Sequence, residues 1–371
     1  MTHSRSHLPA PMARTDTAAA AEKADLLSHD APAITTAHAA ELARDIYGIT
    51  GTVSTLSAEK DANFRVQLDD GTQVLLKVTN AAEDRGVTDM QTAALMHLAL
   101  IDPTLPVPRV HQTLAGAASE VITGPIGQTH VVRLLSFLEG TVLSSAEAGD
   151  DMHRDAGALQ ARLLRGLRGF FHPAAGHFLQ WDIKQAHRLR PILGAVTDDA
   201  LRDRLTALLD RFDSDIAPRL PGLRAQVVHN DFNPHNLLVD GPRARRITGI
   251  IDFGDMVHTA LACDLAVACS YQIAAGPDPL AHIGQMIAGF HAVTPLEPEE
   301  LALLPDLIRL RHATTLCVGS WRAQRYPQNA AYILRNVEAS RRGLAVLDRI
   351  GTDRAVESFR AATERQEGSA T

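Results

Sequence analysis

Two short segments near the middle of the chain carry the residue types that phosphoryl transfer needs. Residues 229–236 contain Asp231 and Asn236, and residues 249–255 contain Asp252. Phosphoryl transfer from a nucleotide asks a protein mainly for positioning and for neutralisation of charge. A carboxylate at Asp231 can accept the proton of an attacking hydroxyl, while Asp252 and the amide oxygen of Asn236 can hold Mg²⁺. We therefore predict Asp231 as the catalytic base and Asn236 and Asp252 as metal ligands.

Each segment is weak evidence alone, because Asp-Phe-Gly and His-x-Asp tripeptides usually mark ordinary turns at strand ends. Here they occur in the order and spacing of the kinase catalytic loop and its metal-binding segment, with Asn236 in register. Apolar strands are expected at Ala225–Val228, Leu237–Val239 and 247–251. The carboxylates would then project from a floor of strands, which favours a kinase-type site over a purely structural interpretation of either segment.

The first third of the chain predicts a small antiparallel sheet. Five strands are expected, at Thr52–Leu56, 64–68, Gln73–Val78, 107–114 and 130–135. Asp69, Asp70 and Gly71 form a strong hairpin-turn signal between the second and third strands. After the fifth strand the pattern breaks, as expected of an interlobe hinge. The backbone of this hinge would recognise the purine base of a nucleotide, and the residues concerned are Ser136, Phe137 and Leu138.

Lys77, near the end of the third strand, is predicted to contact the nucleotide phosphates. A strand would hold its ammonium group rigidly, and a carboxylate from the following helix, expected at 87–100, would keep it in place. Glu83 and Asp89 are both within reach, and we favour Asp89. The alternative is that Lys77 is a strand-edge lysine that opposes aggregation. The downstream segments favour the phosphate role.

The loop at 57–63 contains no glycine, so the glycine-rich phosphate cover of protein kinases is absent. Contacts to the nucleotide must use other groups at this position. We predict Ser57, Asn63 and the backbone amides of the turn as phosphate ligands, with an ordinary polar hairpin loop as the alternative.

The remainder of the chain is predicted to be mainly helical. Helices are expected at Thr36–Tyr47, 155–167, 199–212, 263–272, 281–290, 299–321 and 330–347. The expected fold class is α+β, a bilobal protein-kinase-like fold with a small antiparallel-sheet N-lobe and a larger, mainly helical C-lobe. The expected boundaries are a disordered tail at 1–35, the N-lobe at 36–138, the C-lobe at 139–362 and a second disordered tail at 363–371.

Residues 49–345 resemble the aminoglycoside phosphotransferase superfamily, which includes choline, homoserine and methylthioribose kinases. The segments 57–64, 181–184 and 249–256 are most similar to its hydroxylysine kinase branch. The resemblance implies Mg²⁺-dependent transfer of the γ-phosphate of GTP or ATP to the hydroxyl of 5-hydroxy-lysine. Homoserine, a sugar or an aminoglycoside could be the acceptor instead. A nucleotide-binding pseudokinase is a further alternative, against which the intact set of candidate catalytic residues argues.

Departures from the protein-kinase pattern favour a small acceptor. Asn230 stands where protein kinases have an arginine, and no Ala-Pro-Glu follows the metal aspartate. An amino-acid acceptor needs a cation for its carboxylate and acidic or aromatic groups for its ammonium groups. We predict Arg311 and Arg322 for the carboxylate and Asp255 and Trp181 for an ammonium group, with ordinary packing or surface roles as the alternative.

Composition limits the classes of partner. The chain has 371 residues, 45% of them hydrophobic, with a formal net charge of −7, so it lacks the basic footprint of a nucleic-acid binder. No uninterrupted apolar run is long enough to span a membrane. Three scattered cysteines predict free thiols in a reducing compartment. We therefore expect a cytoplasmic protein whose partners are a nucleotide and a small hydroxylated amino acid or amine, with neither nucleic acid nor membrane.

Overall fold

A computed structural model describes residues 31–58, 60–124, 127–149 and 151–367. Its first part is an antiparallel sheet with two helices. The elements are α1 (Thr36–Tyr47), β1 (Thr52–Leu56), β2 (Ala62–Gln67), β3 (Gln73–Val78), α2 (Arg85–Ile101), β4 (Val110–His111), β5 (Glu120–Thr123) and β6 (Thr129–Ser136). The strand order is β1-β2-β3-β6-β4, and β5 also pairs with β6.

The sheet lies between the two helices because its strands alternate. On one face, residues such as Phe64, Leu76 and Leu134 are buried against α1. On the other face, Leu135 belongs to a second core that includes residues of α2. Lys77 lies on this second face, because side chains point to alternate sides along a strand.

The sequence predicted the bounds of α1, β1 and β3 correctly. The prediction of a five-stranded sheet was wrong, because the sheet has six strands. The strand that was missed, β5, begins with Glu120, ends with Thr123 and is largely exposed, so it lacks a buried apolar alternation. The expected strand at 107–114 is reduced to the two residues of β4.

The second part is mainly helical, with short strands that carry the two carboxylate segments. Its elements are β7 (Thr141–Val142), β8 (Glu147–Ala148), α3 (Met152–Gly166), α4 (Asp199–Arg211), α5 (Ala217–Arg219), β9 (Ala225–Val228), β10 (Leu237–Val239), β11 (Arg243–Ala244), β12 (Ile247–Ile250), β13 (Val257–Ala260), α6 (Leu261–Cys269), α7 (Ala281–Val293), α8 (Pro298–Arg325), α9 (Ala330–Ile333), α10 (Val337–Ile350) and α11 (Thr352–Glu367). β10 lies between β12 and β7, and β13 pairs with β9. The expected α+β kinase-like fold class is confirmed.

Both ends of the chain were predicted to be disordered tails. Residues 1–30 and 368–371, predicted as parts of disordered tails, lie outside the described residues. The tail predicted to start at 363 is wrong as far as Glu367, because α11 continues to that residue. Thr363 is buried within it. Among the described residues, no helix is both long and apolar enough to cross a membrane.

Helices α3 and α7 cross at two glycines. A Cβ atom at Gly157 would lie 2.0 Å from the carbonyl oxygen of Met286, and one at Gly289 would lie 1.9 Å from that of Arg154. Both distances are far inside van der Waals contact, so the two backbones approach closely only because no side chain intervenes. This crossing supports α3, whose Gln160 reaches the candidate site described below.

We expect Gly289→Ala to destabilise the fold, because the added methyl group meets backbone atoms that cannot rotate away. Overpacking costs about 1–3 kcal/mol, which for a chain of this length corresponds to a fall in Tm of roughly 1–4 °C. Gly284→Ala is the matched control in the same helix, since its Cβ would lie 3.6 Å from that of Ala362. Thermal unfolding of both variants tests this, and an equal Tm for the two would contradict it.

Candidate functional site

The predicted base lies in a loop between β9 and β10 that is held by a buried carboxylate. Asn230 adopts a left-handed backbone conformation with φ of 61°. Its N–H donates to Asp264 Oδ1 at 2.6 Å, and Gln160 Nε2 donates to Asp264 Oδ2 at 2.7 Å. Burial raises the pKa of Asp264 to about 6, although both hydrogen bonds lower it. The conformation of the loop therefore depends on a carboxylate of α6.

His229 connects the two carboxylate segments. Its ring is fully buried, with Nδ1 accepting from the Asp231 N–H at 3.2 Å and Nε2 lying 3.2 Å from the carbonyl oxygen of Ile251. Because a carbonyl only accepts, Nε2 carries the proton. Burial lowers the pKa of His229 to about 4, so the ring is neutral and this tautomer is retained. The histidine orients the loop and is not a candidate base.

Asp231 is held at both carboxylate oxygens. Asn236 Nδ2 donates to Oδ2 at 2.7 Å, and Arg311 Nη2 lies 3.3 Å from Oδ1. The side chain keeps 23% of its surface exposed, so an acceptor hydroxyl can reach it. Burial and then the Asp255 carboxylate raise the pKa of Asp231 to about 8, while Arg311 lowers it. A raised pKa makes the carboxylate a stronger base once it is deprotonated.

The two predicted metal ligands lie side by side. Leu237 and Ile250 pair across β10 and β12, and the Ile251 N–H donates to the Asn236 carbonyl at 2.9 Å. This register places Asn236 opposite Ile251, the residue before Asp252. Asp252 is exposed, has a φ of 59° and accepts from the Gly254 N–H through Oδ1 at 3.1 Å.

This donor set suits Mg²⁺, which takes one or two carboxylates and completes its octahedral shell with phosphate oxygens and water. The Asn236 side-chain nitrogen donates to Asp231, so the side-chain oxygen of Asn236 is the atom left to bind a cation. Within the described ranges, no group of three or more His, Cys, Asp or Glu side chains could hold a metal by itself. A metal at this pair would therefore depend on the nucleotide for further ligands.

The expected partner of Lys77 was wrong. Its ammonium lies 2.9 Å from Asp61 Oδ2, whereas Asp89 pairs with His172 and is 72% exposed. The register explains the difference: Asn63 lies opposite Lys77 across β2 and β3, and Asp61, two residues earlier, shares that face.

Glu83, the other acid within reach, is also not the partner of Lys77. Its carboxylate is 2.7 Å from the ammonium of Lys60, in the turn between β1 and β2. Two lysine–carboxylate pairs therefore lie close together on this side of the sheet.

Helix α2 contributes a different polar contact, through the amide side chain of Gln91. Gln91, on α2, accepts from Arg133 Nη1 at 3.2 Å and donates to the carbonyl of Gly254 at 3.1 Å. Arg133 is buried and lies opposite Lys77 across β3 and β6. Gln91 thus ties α2 to the turn that carries Asp252, and no sequence signal distinguished it from other polar residues.

The predicted nucleotide contacts divide into two groups. Asn63 lies beside Lys77 with its Oδ1 buried and without a hydrogen bond, while Ser57 is exposed after β1. In the hinge, the Ser136 N–H donates to the Arg109 carbonyl and the Phe137 N–H to the Gln73 carbonyl. These two amides are therefore occupied. Leu138 follows them, and its side chain lies close to Gly249 of β12.

The predicted substrate residues are not equivalent. Arg311 lies 5.1 Å above the Trp181 ring, donates to the Trp181 carbonyl at 3.2 Å and also hydrogen-bonds Tyr271. Arg311 therefore serves mainly as the counterion of Asp231 and has little capacity to bind the carboxylate of an acceptor. Arg322 is buried eleven residues further along α8, about 16 Å along the axis at 1.5 Å per residue, so it is not brought to Asp231.

Asp255 lies within the same charged group. Burial raises its pKa to about 6, Lys60 lowers it and Asp252 raises it.

Asp264 and Tyr271 are functional candidates that sequence reasoning missed. The signal for Asp264 was available, because it is the only charged residue in the nine-residue helix α6. Tyr271 offered no such signal.

Comparison with known proteins agrees with this geometry. The chain matches the family described as Phosphotransferase enzyme family (APH) over residues 52–304. Hydroxylysine kinase of Mus musculus is 26% identical over 349 residues, covering 88% of this chain and 93% of that protein. Hydroxylysine kinase of Danio rerio is 29% identical over 332 residues, covering 86% and 92%.

A solved structure shows the same fold. The amicoumacin kinase hAmiN, in complex with AMP-PNP, Ca²⁺ and Ami, superposes with a TM-score of 0.60 at 15% identity, covering 80% of this chain and 91% of that one. The family match spans well over half of the chain and contains Lys77, Asp231, Asn236 and Asp252. The chain therefore belongs to the phosphotransferase enzyme family and is a small-molecule kinase that phosphorylates a hydroxyl group.

Proposed function

We propose that this kinase transfers the γ-phosphate of GTP or ATP to the hydroxyl of 5-hydroxy-lysine. The observation that carries the acceptor assignment is the similarity to two hydroxylysine kinases over 93% and 92% of their own lengths. An acidic and an aromatic side chain beside the base, Asp255 and Trp181, suit an acceptor with ammonium groups.

In this proposal Asp231 is the group that moves the proton. The acceptor hydroxyl approaches its exposed edge, and the proton passes to the carboxylate as the oxygen attacks the γ-phosphorus. The bond from the γ-phosphorus to the bridging oxygen breaks, and the nucleoside diphosphate leaves with that electron pair. Asn236 and Arg311 keep the carboxylate in one orientation, because each holds one of its oxygens.

Nucleotide positioning is assigned to the sheet and to the turn after β12. Lys77, held by Asp61, would contact the α- or β-phosphate, with Ser57 and Asn63 as further contacts. The purine base of the nucleotide would lie against the hinge at Leu138, because the N–H groups of Ser136 and Phe137 already donate to backbone carbonyls. Asp252 and the Asn236 oxygen would hold Mg²⁺, which when bound neutralises charge on the β- and γ-phosphate oxygens.

Acceptor recognition is proposed for the region around Trp181. Its ring lies beneath the Arg311 guanidinium, and Asp255 adds a carboxylate of the same charged group. Because Arg311 is already engaged by Asp231, Trp181 and Tyr271, it has little capacity left for an acceptor carboxylate. Arg322, further along the same helix, stays a candidate for that contact.

The acceptor is tested by nucleoside diphosphate release with GTP and with ATP, in the presence of Mg²⁺. The panel is hydroxylysine, homoserine, choline, methylthioribose and an aminoglycoside. We expect acceptor-dependent turnover with hydroxylysine. Turnover confined to another acceptor would replace the substrate and keep the kinase, and nucleotide binding without any turnover would support the pseudokinase alternative.

Asp231→Asn tests the base. We expect kcat to fall by about 10²- to 10⁴-fold with nucleotide affinity retained, because the amide cannot accept the hydroxyl proton. Asp45→Asn, the same change at an exposed ion pair on α1, is the control and should be silent. Steady-state kinetics with a separate nucleotide-binding measurement decide it, and near-normal turnover in Asp231→Asn would refute the assignment.

Arg311→Met tests the counterion through pH. Asp231 acts deprotonated, so kcat/KM rises as pH rises through its pKa. Loss of Arg311 raises that pKa further, and the acid limb of the profile should move up by about one pH unit. Arg311→Lys keeps a positive charge and should restore most of the original limb. A profile unchanged in Arg311→Met would show that the guanidinium does not tune the base.

A further inference from the structure

The turn between β1 and β2 supplies a lysine where a glycine-rich phosphate cover is missing. Lys60 Nζ lies 2.7 Å from Glu83 Oε2, and the two side chains are only 21% and 6% exposed. A surface lysine would be solvated and mobile, whereas this ammonium is held in a partly buried position. Its placement therefore needs an explanation beyond solubility.

The backbone around Lys60 is anchored to the end of β3. The Lys60 carbonyl accepts from Asn80 Nδ2 at 2.9 Å, and Asp61 Oδ1 accepts from the Asn80 N–H at 3.0 Å. The other oxygen of Asp61 pairs with Lys77. The backbone at Lys60 is thus fixed relative to Lys77, whose ammonium pairs with the Asp61 carboxylate.

The Lys60 ammonium also faces the second part of the fold. Burial lowers its pKa, but Glu83, Asp255 and Asp61 raise it more, so the pKa is raised overall and the group is charged. Asp255 follows the proposed metal ligand Asp252 by three residues. The charge of Lys60 is therefore directed at the turn where the outer phosphates would meet the metal.

The charge balance of the site calls for another cation there. The site contains three carboxylates, those of Asp231, Asp252 and Asp255, and Arg311 pairs with the first of them. A nucleoside triphosphate adds about four negative charges. Backbone N–H groups cover phosphates best from glycine, which permits close approach. In a turn without glycine, a positively charged side chain can add to what the backbone amides supply.

We propose that Lys60 contacts the terminal phosphate of the nucleotide, outward of the phosphate held by Lys77. Glu83 holds the ammonium in position until the nucleotide arrives. The turn then acts through one charged side chain in place of a row of backbone amides. This inference rests on the kinase activity and is independent of which acceptor is phosphorylated.

Nucleotide binding without acceptor tests the proposal. Affinities for GTP and GDP, and for ATP and ADP, are measured with Mg²⁺ for the native chain and for Lys60→Met. We expect triphosphate affinity to fall by about 10- to 100-fold, the loss of one charged hydrogen bond, with diphosphate affinity nearly unchanged. Lys77→Met should weaken both, Lys60→Arg should recover triphosphate binding, and Arg44→Met, on α1, is the control.

Lys60→Met leaves Glu83 buried without its partner and could lower stability. The double variant Lys60→Met with Glu83→Gln removes that buried charge and should show the same selective loss. If either variant keeps the native preference for triphosphate over diphosphate, Lys60 is only a structural ion pair and the proposal fails. If no nucleotide binds to the native chain, the kinase assignment itself fails, which is a different result.

Discussion

The hydrogen bond from the Asn230 backbone to the buried carboxylate of Asp264 supports the whole site. A left-handed conformation at a residue other than glycine costs of order 1–3 kcal/mol and persists only where the surroundings impose it. Asp264 imposes it from α6, and Gln160 of α3 completes the carboxylate's hydrogen bonds. α6 also packs on α8, the helix that carries Arg311. The base and its counterion therefore share one support, which keeps their separation constant.

The site contains three neighbouring carboxylates and two cations that interact with them. Asp231, Asp252 and Asp255 lie in one electrostatic group, and Arg311 and Lys60 are the cations that act on it. Asp255 and Asp252 both oppose ionisation of Asp231, although burial is the larger cause of its raised pKa. A divalent cation relieves this repulsion.

Features that depend on local sequence patterns could be predicted from the sequence. The strands β1 and β3 follow from alternation, and the proposed catalytic and metal-binding residues lie in two short segments whose spacing is visible in the sequence. The partner of Lys77 was missed because it is set by the register of β2 against β3, which places Asp61 on the same face. The role of Arg311 depends on how α8 packs, since Trp181 and Asp231 come from distant segments. Spacing alone could not separate Arg311 from Arg322.

The Lys77–Asp61 pair bears on how such an enzyme could be controlled. In protein kinases the lysine is held by a glutamate of the mobile helix, so a swing of that helix switches activity. Here both members of the pair belong to one hairpin, while the Gln91 side chain of α2 donates to the carbonyl of Gly254. A displacement of α2 would leave the ion pair intact. Within the described residues, this pair is therefore not coupled to α2 in the way that a helical glutamate couples the lysine of a protein kinase.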